Sequence, residues 1–404
     1  MPQDAPRFRW FVLSLLFFAT TINYLDRIVL AVLIPEIRKE LGLNDLHYGY
    51  ITAAFQLAYT AGFLFMGKFI DRVGTKIGYL VSILWWSAAA ALHATAGSGV
   101  AMGFWRFLLG LGEAGNFPSA IKAVAEWFPK MDRAFATGIF NAGTNVAATI
   151  GPPVIVWMAT VHGWRAAFLI TAGLGLFWVP VWWLFYRRPQ QQNHEQAAPA
   201  VPWSVALRHR PTWGFALGKF LTDPVWWFYL TWLPPYLYDV RRFNLKEIGW
   251  ALPVIYLAAD FGSVGGGWMS GYLMRRGWPA GKARKAAMAL AAACMPAAAT
   301  AVLVESPILA IALVGLATSA HQGWSANLFT TTSDVFPANT VGSVVGIGGC
   351  AGGLGGFFFS ALVPGYVITY FGYTPVFLLM GALHPVAWVA VHLLMGNIER
   401  IEEN

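Results

Sequence analysis

Long apolar runs separated by short basic loops dominate this chain, and that pattern leaves it few ways to fold. The first run, Trp10 to Ile34, holds only Asp26 and Arg27 as charged residues. About 20 apolar residues cross the hydrocarbon of a bilayer as an α-helix. At that length the sequence divides into twelve candidate spans, 10–34, 48–68, 77–97, 101–128, 133–160, 164–186, 212–238, 247–274, 284–304, 307–335, 340–370 and 374–396. Only 11% of the 404 residues are charged and 57% are hydrophobic, whereas a soluble domain is about 25% charged. The expected fold class is an all-α integral membrane protein with twelve transmembrane helices and little room for a soluble domain. The first run is too long for a signal-peptide core and no A-x-A-like site follows it, so it is expected to be retained as the first helix.

The basic residues set the orientation. With the N-terminus inside, 17 of the 27 Lys and Arg fall on the cytoplasmic side, six fall outside and four lie within spans. That asymmetry places both termini in the cytoplasm. The net charge of +8 sits in these loops, so it is a topology signal and nucleic acid is not an expected partner. Cys294 and Cys350 both lie inside apolar runs, and no disulfide framework is indicated.

Residues 187–211 are the only long polar stretch and read as a solvated linker. It separates a bundle at 1–186 from a bundle at 212–404, and the two repeat each other. Gly67–Lys76 after span 2 corresponds to Gly267–Gly277 after span 8. Glu126-Trp-Phe-Pro129, with Gly138 nine beyond the proline, recurs as Asp334-Val-Phe-Pro337 with Gly346 nine beyond. Gly163-Trp-Arg-Ala-Ala-Phe168 recurs as Gly372-Tyr-Thr-Pro-Val-Phe377. Six spans per copy is even, so both copies share one orientation and the axis relating them runs along the membrane normal.

Charges within spans are the candidate functional groups, because each costs at least about 2.5–3.5 kcal/mol at bilayer depth. Arg106 and Glu113 lie in span 4, on nearly one face and roughly 10 Å apart along the axis at about 1.5 Å per residue. Gly110, Gly112 and Gly115 keep other faces of that helix thin. Asp26 and Arg27 lie in span 1, so two charges of each sign converge in the first bundle. One reading is a pair of buried ion pairs joining spans 1 and 4, but such pairs contribute little net stability. The other is a polar cavity in which a guanidinium holds a carboxylate by two parallel hydrogen bonds and the carboxyls take up protons. An anion arriving at an arginine would then favour protonation of a neighbouring acid, and linkage makes the coupling reciprocal.

At this point a resemblance enters. Gly67-Lys-Phe-Ile-Asp71-Arg72-Val-Gly74-Thr-Lys76 resembles the loop 2–3 signature of the major facilitator superfamily. The stretches NYLDR (23–27), RFLLGLGEAGNFP (106–118) and HQGWSANLF (321–329) resemble its anion:cation symporter branch, and most of all bacterial hexuronate and aldonate transporters. Vesicular glutamate and sialic acid transporters are more distant relatives. The resemblance implies the major facilitator fold of two pseudo-symmetric six-helix bundles. It also implies substrate contact for Arg27 and Arg106 and proton coupling for Asp26 and Glu113. Further, it implies a cytoplasmic latch that stabilises the outward-facing state, built from Gly67, Asp71, Arg72, Gly74, Lys76, Glu126 and Arg133. The second copy departs from this pattern, with Gly271 and Tyr272 at the Asp-Arg positions, so its latch is expected to be weaker or to use Arg275 and Arg276.

Other polar residues are candidates to surround the substrate. Asn23 is one turn from Arg27, with Tyr24 nearby; Gln56 and Tyr59 lie in span 2; Asn141, Thr144 and Asn145 lie in span 5. Amides and hydroxyls read sugar hydroxyls, and equally they make interhelical hydrogen bonds. Lys219, Thr222, Asp223 and Trp226 form a stripe on span 7, where Pro224 predicts a kink. Lys219 is either a second anion contact or the partner of Asp223. His321 stands sixteen residues before Pro337, as Glu113 stands sixteen before Pro129. It is a candidate for a substrate hydrogen bond or pH tuning, beside Gln322 and ahead of Asn327. Lys122 and Glu126 are spaced to pair, and Asp260 has no evident partner. The glycines of span 11 suit a helix that bends.

The expected function is proton-coupled import of a sugar-acid anion, a hexuronate such as glucuronate or galacturonate or a hexonate such as galactonate, by alternating access across a bacterial cytoplasmic membrane. The competing reading keeps the fold and exchanges organic anions or sugar phosphate for phosphate. A dianionic phosphate is disfavoured by Glu113 and by Lys219 standing where a second arginine would be wanted. No H-E-x-x-H, G-x-S-x-G or C-x-x-C motif points to an enzyme. No cofactor or metal is expected, protons being the coupling ion. The expected partners are a small organic anion and the lipid bilayer, with a monomer sufficient for function.

Overall fold

The computed structural model describes residues 5–128, 130–187, 203–336, 338–396 and 398. Twelve long helical elements follow one another: α1 Ala5–Leu41, α2 Asp45–Val73, α3 Thr75–Leu92, α4 in two pieces Gly99–Glu113 and Asn116–Trp127, α5 Lys130–His162 and α6 Trp164–Phe185. After a four-residue helix Trp203–Ala206 come α7 Arg210–Asp239, α8 Leu245–Arg275, α9 Ala280–Ala299 and α10 Pro307–Val335. The series closes with α11, made of Ala338–Gly355, a π-helical Gly356–Leu362 and Val363–Phe371, and with α12 Tyr373–Met395. Among the described residues there is no strand. Most of the expected linker lies in 188–202, outside the described residues.

Among the described residues, eight of the helices are by length and composition long and apolar enough to cross a membrane. Large apolar side chains such as Phe65, Phe177, Phe261 and Leu393 stand 66–75% exposed on these rods. Exposed aromatic and aliphatic surface at this density is stable in lipid and not in water. The helices outrun the expected spans at their ends, since a span counts only the residues at hydrocarbon depth. Thus α1 continues through Pro35 to Leu41.

The chain divides into two compact units, Met1–Asn193 with Pro234–Pro253, and His194–Leu233 with Val254–Asn404. In the first, α1 packs on α5, α2 on α4 and α3 on α6. An aromatic column on α6 packs against α3. Trp178, Trp182 and Tyr186 stack at centroid distances of 4.9 and 4.0 Å, with Tyr79 and Trp86 beside them. Their indoles are satisfied by backbone, Trp178 donating to Leu15 O and Trp182 to Lys76 O, both at 3.0 Å. In the second unit, α9 packs on α10 and α12.

The internal repeat reaches into backbone detail. Gly163 and Gly372, the leading glycines of one repeated motif, adopt φ of 81° and 76°, a conformation that favours glycine. Asn44 caps α2 in a box with His47, and Asn244 caps α8 in a box with Glu247.

Two helices depart from the continuous rods expected for them. In α4 the regular pattern lapses at Ala114 and Gly115, where Gly115 N–H reaches back only to Gly112 O at 3.2 Å. Pro118 removes the donor that Ala114 O would otherwise receive. In α11 the glycines accommodate α7. A Cβ on Gly355 would lie 2.0 Å from Phe220 O, the carbonyl that Pro224 leaves without its helical donor, and one on Gly352 would lie 2.2 Å from the Asp223 carboxylate. The helix α7 itself runs unbroken through Pro224.

Candidate functional site

In the first unit, close packing of α4 on α2 brings the charges together. A Cβ on Gly110 would lie 2.5 Å from Phe55 O, so only glycine lets these backbones approach. Beside this contact Arg27 pairs with Glu113, Nη2 to Oε2 at 2.7 Å and Nε to Oε2 at 2.8 Å. Three rings enclose the Arg27 guanidinium, Tyr24 at 4.6 Å, Tyr59 at 4.5 Å and Phe55 at 5.1 Å. Arg27 is 4% exposed and Glu113 is fully buried.

Arg106 differs from Arg27. Its Nη2 donates to the Arg27 carbonyl, and its guanidinium lies 4.8 Å from the Phe55 ring. Its Nε and Nη1 are buried without a hydrogen-bond partner, and no carboxylate lies within ion-pair distance of it among the described residues. Asp26 is the complementary orphan. Both of its carboxyl oxygens are buried without a hydrogen-bond partner, within electrostatic reach of Glu113 and Arg106. The Thr171 hydroxyl nearby donates instead to Phe168 O at 3.3 Å. The side-chain amide of Asn23, fully buried one turn away, is likewise unpartnered on both atoms. Buried polar groups are nearly always satisfied, so this cluster of orphans marks a place where a polar ligand or water belongs.

The lapse in α4 falls immediately after Glu113. It is held by Asn116, whose Oδ1 accepts from Tyr79 OH at 2.6 Å and whose Nδ2 donates to Thr20 at 3.4 Å. Sequence reasoning passed over Asn116, although it lies inside the RFLLGLGEAGNFP stretch. Of the remaining candidates, Gln56 is buried on α2. On α5, Asn141 is exposed and Asn145 half-buried, and Thr144 donates to Asn141 O and Asn145 Oδ1 at 2.8 and 3.3 Å.

The second unit has its own polar group. Lys219 pairs with Asp223 at 2.7 Å, with the Phe329 ring 4.1 Å from its Nζ, so the intrahelical partner is the one realised. Trp226 lies parallel to His321 at 5.9 Å and 9°. His321 Nδ1 is 3.2 Å from Nε2 of His384 on α12, a residue that sequence reasoning missed. Gln322 is half-buried. Asn327 has a structural task, since its Nδ2 donates to Gly266 O and Gly323 O at 2.9 Å each. It ties α8 to α10 where Gly266 lets the backbones touch.

At the end of α4, Glu126 accepts from Thr75 at 2.7 Å and from Tyr186 OH. Lys122 donates to Ile70 O at 3.1 Å. Lys76 lies 4.6 Å from the Trp183 ring, Arg72 is exposed, and Gly74 turns the chain at φ 85° near Gly67. The side chains of Asp71 and Arg133 lie outside the described residues. In the second unit the corresponding acid, Asp334, pairs with Arg284 at 3.2 Å, and Arg284 also donates to Ser270 at 2.8 Å. The tie is therefore made by Arg284 and not by the expected Arg275 or Arg276; Arg276 lies 5.2 Å from the Tyr272 ring. Where α1 turns into α2, Arg38 bridges Asp45 and Asp239, the latter at 2.6 Å, and Lys39 donates to Tyr238. The sequence offered these only as topology charges.

Residues 16–360 match the Major Facilitator Superfamily. The chain belongs to that superfamily. As a major facilitator protein it is a multi-pass membrane transporter, and two of its relatives are similar along nearly their whole length. It is 33% identical to the hexuronate transporter of Escherichia coli (strain K12), covering 98% of this chain and 95% of that one. It is 28% identical to the D-galactonate transporter of Escherichia coli O6:H1, covering 98% and 97%. It is 34% identical to the galacturonate transporter of Dickeya chrysanthemi over 65% of this chain and 81% of that one. The major facilitator fold is also shared with a solved bacterial homologue of the human lysosomal transporter Spinster, in an inward-facing and unoccupied conformation, with a TM-score of 0.74 at 20% identity over 96% of this chain and 95% of that one.

Proposed function

We propose that this transporter imports a sugar-acid monoanion together with a proton by alternating access across the bacterial cytoplasmic membrane, with both termini cytoplasmic. The observation that carries the proposal is Arg106, a buried guanidinium with two unpartnered N–H groups and no carboxylate of its own. A cation so placed is stable when an anion joins it, and a planar carboxylate meets its fork with two hydrogen bonds. Arg27 is already paired with Glu113, so the first unit has room for one negative charge. One charge fits a hexuronate or hexonate and not a dianionic phosphate. The transporters of hexuronate, galacturonate and D-galactonate that the chain resembles act on anions of this class.

Asp26 is the group assigned the coupling proton. A carboxyl without a counter-ion in a dry interior is the chemical form that carries one. Substrate bound at Arg106 removes the cation that would favour ionised Asp26, so the proton and the anion bind together. Glu113 is the second proton site, taking up its proton when Arg27 turns from it to the substrate. The unpartnered amide of Asn23 and the rings of Tyr24 and Tyr59 stand ready for the sugar hydroxyls. No cofactor takes part.

The test is uptake into proteoliposomes holding the purified protein, under an inward proton gradient, with a panel of radiolabelled sugar acids. Accumulation of a hexuronate or hexonate that an uncoupler abolishes is the expected result. Accumulation that requires a counter-anion preloaded inside would overturn symport in favour of exchange.

A further inference from the structure

The second unit buries a pair of imidazoles that this reading leaves without a task. His384 of α12 faces His321 of α10, Nε2 to Nδ1 at 3.2 Å, with the rings at 83° to each other. Both are buried, at 0% and 3% exposure. The Trp324 ring meets His384 at 5.5 Å and 77°, and the Trp226 ring lies parallel to His321. Aromatic contacts therefore hold both imidazoles in place.

Two ring nitrogens in hydrogen-bond contact share a single proton, one supplying N–H and the other a lone pair. In the neutral pair two arrangements exist. If His321 donates from Nδ1, then His384 carries its own proton on Nδ1. That atom is buried with no hydrogen-bond partner, so a donor is left orphaned. If His384 donates from Nε2, its Nδ1 is only an unused lone pair. Orphaned buried N–H groups are the rarer of the two in folded proteins, and an unmade donor forfeits its full desolvation cost. The second arrangement therefore prevails, and it forces the proton of His321 onto Nε2. That nitrogen has no hydrogen-bond partner among the described residues, but unlike His384 Nδ1 it is not fully buried, so its N–H is left open to water or substrate and is not an orphan. It belongs to a ring that stacks on Trp226 and lies within electrostatic reach of Lys219, both of α7.

We infer that His384 is a positioning residue that locks His321 in the Nε2–H tautomer, so that α10 offers a fixed hydrogen-bond donor to an oxygen of the transported sugar acid. The inference rests on the sugar-acid reading above for the identity of the acceptor; the tautomer itself does not. A donor beside an indole face is what a sugar needs, since its hydroxyl oxygens accept while its C–H face packs on the ring. The opposite tautomer would present a lone pair, which repels a carboxylate or an ether oxygen.

Two measurements on the full-length protein test this. In the first, nitrogen NMR of histidine-labelled protein in nanodiscs, assigned with the single variants, reads each ring nitrogen as protonated or bare. Nε2 protonated and Nδ1 bare in both residues is expected, and a proton on His321 Nδ1 overturns the inference. The second is uptake kinetics. His384→Leu should raise KM about tenfold with little change in Vmax, the equivalent of one substrate hydrogen bond. His384→Gln, whose carboxamide N–H can replace Nε2–H, should restore it. In a His321→Gln background, where the donor no longer depends on a tautomer, His384→Leu should add nothing. An equal rise in KM in both backgrounds, or an unchanged KM in His384→Leu, overturns the inference by making His384 packing alone. Wild-type protein that moves no sugar acid would refute the functional reading, and the NMR result would then decide the tautomer independently.

Discussion

In the first unit the buried charges do not cancel. Arg27 and Glu113 neutralise each other, but Arg106 has no acid and Asp26 has no base. In the second unit the buried Lys219 does have its acid, held by Asp223 one turn away, and beside it two buried imidazoles share a proton. The two halves descend from one repeat, so the difference lies in side chains placed on a common scaffold. On the proposed function, charge is recognised by one half and hydroxyls by the other.

The largest expected effect comes from removing the uncancelled cation. Arg106→Gln should lower sugar-acid uptake by about 100-fold or more, since a desolvated ion pair with the substrate is lost. Arg106→Lys should recover little of it, because a point charge cannot reproduce the planar fork. Uptake by Arg106→Gln within a few-fold of wild type would erase the contrast between the halves.

Next is the unpartnered acid. Asp26→Asn should abolish accumulation driven by a proton gradient yet preserve counterflow of substrate between equal pools, the signature of a carrier that has lost its proton and kept its site. Glu113→Gln should do likewise if Glu113 serves coupling only; loss of counterflow would instead mark it as the residue that orients Arg27.

A smaller effect is expected in the second unit, and it sharpens the comparison most directly. Lys219→Met strands Asp223 in the interior and should reduce uptake about tenfold, whereas Lys219→Met with Asp223→Leu removes both charges and should return most of it. If the double variant is as poor as the single one, Lys219 touches the substrate and the second half also recognises charge. The smallest effect belongs to the contacts of Arg38. Arg38→Gln breaks the bridges to Asp45 and Asp239, partly exposed contacts worth about 1 kcal/mol or less. Its effect on transport should be two- to threefold and should fade as external salt is raised, as read from uptake at two ionic strengths.

The convergence of Asp26, Arg27, Arg106 and Glu113 was legible in the sequence because charges within apolar runs are costly and therefore rare. Which arginine takes Glu113 was not, because Arg27 and Arg106 are chemically alike and their roles are set by the rotation of α1 against α4. The capping boxes at Asn44 and Asn244 were there to be read in matching positions of the two halves. Arg284 was hidden among the five basic residues of 275–285, where the positive-inside bias accounts for every one of them. His384 was hidden by its surroundings: it lies in an apolar helix, 63 residues from its partner, and no spacing rule joins two helices that meet only in the fold. The lapse in α4 was half legible. The glycines and Pro118 allow it, but Asn116 fixes its place through Tyr79 and Thr20.

The π-helical stretch of α11, Gly356–Leu362, holds more chain per turn than the α-helix on either side of it. Such a turn is a stored residue. Passing that residue along the rod turns the residues it passes by about 100°, the arc one residue occupies at 3.6 per turn, while the backbone exchanges wide hydrogen-bonded rings for narrow ones and need not break. A helix built this way can re-aim a short run of its side chains without tilting in the bilayer, much as a bead slides along a fixed string.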